Sequence, residues 1–170
     1  VQGVGFRPFI YGLAIQSCYS GYVLNDVEGV LLEIQGQDID IENFCQCIKT
    51  KAPKASYITN ISYHEIDVIC DDKEFIIQKS PQGLTKETLI SPDLAICEDC
   101  KREIKDKNNR RYQYAFTNCT NCGPRFSIVQ DIPYDRQNTT MKVFPMCKKC
   151  EDEYTNPLDR RFHAQPNACD

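Results

Sequence analysis

At 170 residues the chain has room for one ordinary domain or two small ones, and with 41% hydrophobic and 26% charged residues it is not wholesale disordered. The net charge of -4 divides unevenly: residues 1–96 hold 7 Lys/Arg against 13 Asp/Glu, whereas residues 97–170 hold 13 against 11. Neither part is the basic stripe of a general nucleic-acid binder, no apolar run reaches the ~20 residues that span a bilayer, and the start does not read as a signal peptide.

In chain order, Val1-Gln2-Gly3-Val4-Gly5-Phe6-Arg7 is a glycine-containing turn leading into a helix. Phe9, Ile10, Leu13, Ala14 and Ser17 recur at helical spacing, Pro8 suits a first-turn position, and Gly21 stands where the helix would stop. Tyr22-Val23-Leu24 and Val30-Leu31-Leu32-Glu33-Ile34 read as two strands joined by a hairpin turn at Asn25–Gly29. Ile41, Phe44, Cys45 and Ile48 predict an amphipathic helix over about 40–50, ended by Pro53. Tyr57 to Ile69 is rich in β-branched and aromatic residues and reads as a strand, and Phe75-Ile76-Ile77 as a last short one. The order is that of a ferredoxin-like β-α-β-β-α-β unit without its first strand. Residues 81–96, with two prolines near either end of the stretch from Ser80, read as a linker.

Three knuckles follow: Cys97-x-x-Cys100, Cys119-x-x-Cys122 and Cys147-x-x-Cys150, then Cys169. Eighteen residues separate Cys100 from Cys119, and eighteen separate Cys150 from Cys169. A shift of fifty aligns Glu103 with Glu153, Arg110-Arg111 with Arg160-Arg161, and Tyr112 with Phe162. Residues 97–170 are thus a tandem repeat whose second copy lacks its last cysteine, and the chain reads as a segment of a longer protein. Cys-x-x-Cys turns present pairs of thiolates to zinc, and two knuckles close one tetrahedral structural site. Neighbouring pairing gives Cys97, Cys100, Cys119 and Cys122 to one zinc, and Cys147, Cys150 and Cys169 to an incomplete second one. Interleaved pairing stays open from spacing alone. An odd count of eleven cysteines without an export signal points to a reducing, cytoplasmic setting rather than a disulfide framework. Cys18, Cys45, Cys47 and Cys70 read as small apolar fillers, His163 as a packed polar residue, and His64 as a surface one. The repeated arginine pairs read as solvated charges pairing with nearby acidic residues, or as a contact surface for an acidic partner or for another domain of the same protein.

The loop of Gly3, Val4, Gly5, Phe6 and Arg7 has the makings of an anion site, with backbone N–H groups at a helix start and a guanidinium fork beside them. Asn25 offers an amide to hold a water in line with a bound phosphoryl group. From the residues alone, a tight turn with a surface arginine fits equally well. The segment Val1–Arg7, taken with Gly21-Tyr22-Val23-Leu24-Asn25 and Glu28-Gly29, closely resembles the acylphosphatase signature over about residues 1–80. That resemblance implies an α+β, ferredoxin-like acylphosphatase domain with its first strand missing, Arg7 as the phosphate-binding residue and Asn25 as the water-positioning one.

Asn118-Cys119-Thr120-Asn121-Cys122-Gly123-Pro124-Arg125, Pro133-Tyr134-Asp135-Arg136 and Arg160-Arg161-Phe162-His163-Ala164-Gln165 resemble the zinc region of the HypF family of carbamoyltransferases, which mature NiFe hydrogenases. This implies a larger enzyme with YrdC-like and transferase domains that uses carbamoyl phosphate and ATP. The enzyme would carbamoylate the C-terminal cysteine of HypE, the source of the cyanide ligands of the hydrogenase iron. The competing class is a non-catalytic module, an anion-binding domain joined to a zinc-dependent protein-interaction domain.

Overall fold

The computed structural model describes residues 4–26, 29–37, 39–69, 73–78, 92–132 and 134–168. They fall into two units, one of Phe6–Thr85 and one of Val1–Gly5 with Lys86–Asp170.

The first unit opens with α1 (Phe6–Gln16), whose apolar residues at i, i+3 and i+4 turn Ile10 and Ala14 inward. The helix does not run on to Gly21. It closes at Cys18, which takes the left-handed conformation (φ 55°), while the Tyr19 amide donates to the Ala14 carbonyl and the Cys18 amide to that of Ile15. These are the paired bonds of a Schellman stop, with cysteine where glycine is usual. Cys18 is exposed, so it acts as a helix terminator rather than a filler.

Two strands follow, β1 (Ser20–Asp26) and β2 (Gly29–Gln35), antiparallel with Val23 opposite Leu32 and Asn25 opposite Val30. Then α2 (Ile41–Lys51) is capped by the Asp40 carboxylate, which accepts from the Asn43 amide. Finally β3 (Phe75–Ile77) pairs parallel to β1, giving the order β2-β1-β3. Ile10 and Ala14 from α1, Phe44 and Ile48 from α2, Val23 from β1 and Phe75 from β3 form one core. This is the ferredoxin-like α+β arrangement, with a mixed three-stranded sheet among the described residues.

Gly21 has a different use from the helix stop expected of it. Its φ is +126°, and a Cβ there would sit 2.2 Å from the Glu33 carbonyl oxygen across the β1–β2 ladder. Both the backbone angle and the close approach require glycine. Gly21→Ala is therefore expected to destabilise this unit by roughly 3 kcal/mol or more, read as a lower urea midpoint with an unchanged m-value.

The strand expected over Tyr57 to Ile69 does not form. The segment runs without a ladder, and Tyr57 is 81% exposed and Val68 76%. High β-propensity records fitness for a pleated, half-buried surface, not the presence of a partner. Ile58 and Ile61 pack against the core without a ladder, and the Gln35 side chain engages the end of the segment: its amide donates to the Ile69 carbonyl, and its oxygen accepts from the Ile69 N–H.

The second unit shows the fifty-residue period in its geometry. Cys97 and Cys147 cap α3 (Glu98–Lys105) and α4 (Lys148–Thr155) with nearly the same backbone angles. Eight residues after each helix stands a left-handed residue, Gln113 (φ 61°) or His163 (φ 51°). Their amides donate to the equivalent carbonyls of Ile104 and Tyr154, both at 3.0 Å. The His163 ring stacks on Tyr154. Short 3-10 turns between Thr120 and Val143 connect the copies around buried Ile128, Thr139 and Met141. Residues 92–96 also belong to this unit: Asp93 accepts from the Phe126 amide, and the Leu94 side chain packs over Gly123, 3.3 Å from where a Cβ would sit.

Candidate functional site

Arg7 lies in the first turn of α1 and is half-buried. Asn25 lies near the end of β1, is 7% exposed, and is two residues beyond the core residue Val23. Strand alternation therefore places Asn25 on the face that α1 covers. Residues 17–19 turn the chain back between α1 and β1. Nine residues of helix rise about 14 Å, and the five steps from Ser20 to Asn25 rise about 17 Å. The start of α1 and the end of β1 thus reach the same edge of the unit.

The Asn25 side-chain oxygen is buried and accepts no hydrogen bond among the described residues. Leaving such an acceptor without a partner costs about 1–3 kcal/mol, so the position is shaped for something that donates to it. Of the loop, Gly3 lies outside the described residues, as do Cys70 and Glu28. Val4 is buried, Gly5 is left-handed (φ 74°), and Phe6 and Arg7 already belong to α1.

In the second unit the sulfurs of Cys97, Cys100, Cys119 and Cys122 all lie within 4.8 Å of one another. Cys97 and Cys119 are 3.7 Å apart and Cys119 and Cys122 3.8 Å. Bonds of 2.3 Å from a tetrahedral zinc place its thiolates about 3.8 Å apart, so the residues fit such an ion. Knuckles one and two pair as neighbours. The three buried thiols are themselves the apolar cluster of this region, with Cys97 against them. Hydrogen bonds from the Cys100 and Cys119 thiols, with the Cys97 amide at 3.1 Å, hold Cys122 far below the ordinary thiol range. The bonds to Cys119 and Cys122, together with burial, push Cys100 far above it. Four crowded thiols cannot share several negative charges without a cation among them. The cluster could therefore hold a metal. Cys147 is exposed and Cys150 buried, while Cys169 lies outside the described residues.

The HypF finger model matches residues 96–129 and 146–170, and the acylphosphatase model residues 1–77. The carbamoyltransferase HypF of Rhodobacter capsulatus is 48% identical over 170 residues, covering 99% of this chain and 22% of that protein. The chain belongs to the HypF family. An acylphosphatase of Staphylococcus aureus (strain Newman) is 38% identical over 68 residues, 40% of this chain and 76% of that protein. The solved structure of full-length HypF in its phosphate- and nucleotide-bound form superposes with a TM-score of 0.83 at 52% identity, covering 99% of this chain and 22% of that one. The chain thus spans about a fifth of the length of these HypF relatives. No helix among the described residues is long and apolar enough to cross a membrane.

The HypF finger repeat uses its arginines in a way that its sequence does not announce. Arg111 and Arg161 are 3% and 4% exposed, so these two are neither solvated charges nor a contact surface. Arg110 and Arg111 pair with Glu153 of the other copy, at 2.6 and 2.5 Å. Arg160 and Arg161 pair in return with Glu103, Arg160 at 2.5 Å. Burial works against both carboxylates, yet the arginines hold each below the usual range: Arg160 and Arg161 for Glu103, Arg111 and Arg110 for Glu153. Arg136, part of the Pro133–Arg136 motif, braces the connecting segment. It donates to the carbonyls of Asn167 at 2.9 Å, Phe144 at 2.6 Å and Gln165, tying the connecting segment to the end of the second copy. Tyr134 accepts from the Arg125 amide at 2.9 Å.

Proposed function

We propose that the acylphosphatase-like domain, residues 1–80, hydrolyses an acyl phosphate, with carbamoyl phosphate as substrate. Arg7 and the backbone amides of the Gly3–Arg7 loop bind the phosphoryl group, and Asn25 holds the attacking water. The observation that carries this reading is the buried, unpartnered Asn25 oxygen at the edge where α1 begins. A passive anion site has no use for such an acceptor, whereas a water donating one hydrogen to it presents a lone pair toward phosphorus. The guanidinium fork of Arg7 matches the phosphate oxygens and offsets charge as the bridging bond lengthens. The water oxygen bonds to phosphorus while the bond from phosphorus to the bridging oxygen breaks. Carbamate leaves, and the water's proton passes to solvent with orthophosphate as the second product. Positioning and charge stabilisation carry the step, since phosphoryl transfer asks for little covalent chemistry from the protein.

In the second unit, Cys97, Cys100, Cys119 and Cys122 would hold one structural zinc, and Cys147, Cys150 and Cys169 would contribute to a second. The whole protein would work as HypF relatives are named, as a carbamoyltransferase. It would use carbamoyl phosphate and ATP, with HypE as the acceptor of the carbamoyl group and YrdC-like and transferase domains beyond this chain, in the cytoplasm.

Asn25→Ala tests the first step. It is expected to lower kcat for phosphate release by about 10²-fold with KM little changed, because its contact is to the water rather than to the bound phosphate. Unchanged kcat would leave the anion-binding, non-catalytic reading in its place.

A further inference from the structure

Each metal helix carries a cysteine and, one turn later, a glutamate: Cys100 and Glu103 on α3, Cys150 and Glu153 on α4. In both cases one arginine from the other copy forks across the pair. Arg160 reaches the Cys100 sulfur at 3.3 Å with one terminal nitrogen and Glu103 at 2.5 Å with the other. Arg110 reaches the Cys150 sulfur at 3.0 Å and Glu153 at 2.6 Å in the same way, and lies 3.8 Å from the Cys147 sulfur. The exchange is reciprocal, and at Cys150 a second arginine adds to it, with Arg111 3.6 Å from the same sulfur.

A divalent ion held by four thiolates leaves a net charge of about -2. In the first site three of those four sulfurs belong to fully buried residues, where an uncompensated charge is costly. The nearest cations on the metal helix are turned to other work, since Lys101 pairs with Glu98 at 3.3 Å and Arg102 with Asp99 on the surface. The compensating charge therefore comes from across the repeat. Only a planar fork can serve a thiolate and a carboxylate one helical turn apart at once; an ammonium is a single point charge.

We propose that the two metal centres are cross-braced. Arg160 of the second copy is the charge partner of the centre at Cys97, Cys100, Cys119 and Cys122, and Arg110 of the first copy is that of the centre containing Cys147 and Cys150. Each copy then retains its metal through an arginine of the other, and loss of one centre loosens the second. This rests on the metal reading above. Zinc content of the purified protein tests that reading by itself, since a metal-free folded protein would end it whatever the arginines do.

The cross-bracing is tested by challenging the zinc-loaded full chain with a chelator and following alkylation of each cysteine by mass spectrometry. Arg160→Gln is expected to speed exposure of Cys97, Cys100, Cys119 and Cys122 by 10- to 100-fold, the usual range for residues that support metal ligands. The rates at Cys147 and Cys150, each compared with the unsubstituted chain, should rise less. Arg110→Gln is expected to give the converse order. Arg160→Lys and Arg110→Lys keep the charge but lose the fork, and should show the same crossed order at smaller amplitude. Should the glutamine variants unfold the whole unit, the lysine pair decides. A larger rise over the unsubstituted chain in each arginine's own copy, or equal rises in both copies in the lysine variants, overturns the proposal.

Discussion

Cys119→Ala, or removal of the metal by a strong chelator, is expected to unfold the second unit outright. The fully buried Cys119 is one corner of the four-sulfur cluster, and the apolar cluster there consists of the thiols themselves. Large apolar side chains of the same unit, Phe126 at 59% exposure and Val143 at 69%, remain largely in water. Hydrophobic burial is thus too thin to replace the ion, and a structural zinc site supplies on the order of 10 kcal/mol of apparent folding free energy. The buried ion pairs do not substitute for it. Glu103 and Glu153 face arginines that only the folded repeat holds in place, and a buried pair stabilises little beyond its own desolvation. Protease resistance of residues 92–168 and near-ultraviolet circular dichroism read the outcome. Retention of both after stoichiometric zinc release would show that the fold stands without the metal.

The second large effect concerns catalysis. Arg7→Ala is expected to lower kcat/KM for carbamoyl phosphate by about 10³-fold, equivalent to ~4 kcal/mol of transition-state stabilisation. Arginines that meet a transferring phosphoryl group act on charge spread over its equatorial oxygens, so the loss should fall on kcat as well as KM. Arg7→Lys should recover only part of it, because an ammonium cannot engage two oxygens in one plane. A urea midpoint measured alongside separates this from loss of fold. Wild-type turnover in Arg7→Ala would remove the residue from the site.

Much of this was legible in the sequence wherever a local rule and the tertiary result coincide. The spacing of Phe9, Ile10, Leu13 and Ala14 demands a helix with one apolar face, and the core forms on it. The fifty-residue period demands two like units, and the left-handed Gln113 and His163 show how closely they repeat. What the sequence hid depends on partners. The helix stop at Cys18 was invisible because a left-handed cysteine carries no compositional mark, so the stop was assigned to Gly21, which answers to a carbonyl on the neighbouring strand. Tyr57 to Ile69 has the residues of a strand, but a strand is a pairing, and propensity does not count neighbours. The arginine pairs failed for the same reason. Periodicity shows that Arg110 and Arg160 are equivalent, but not that each faces the other's knuckle.

The most direct test of the proposed chemistry is to run carbamoyl phosphate hydrolysis by the full chain in water enriched in oxygen-18 and to weigh the phosphate released. Attack by the water at phosphorus predicts one labelled oxygen in each phosphate, formed at a rate that Arg7→Ala and Asn25→Ala depress. Unlabelled phosphate would mean that the bond broken is the one to the carbonyl carbon. Label appearing at equal rates in all three proteins would mean that Arg7 and Asn25 do not form the site.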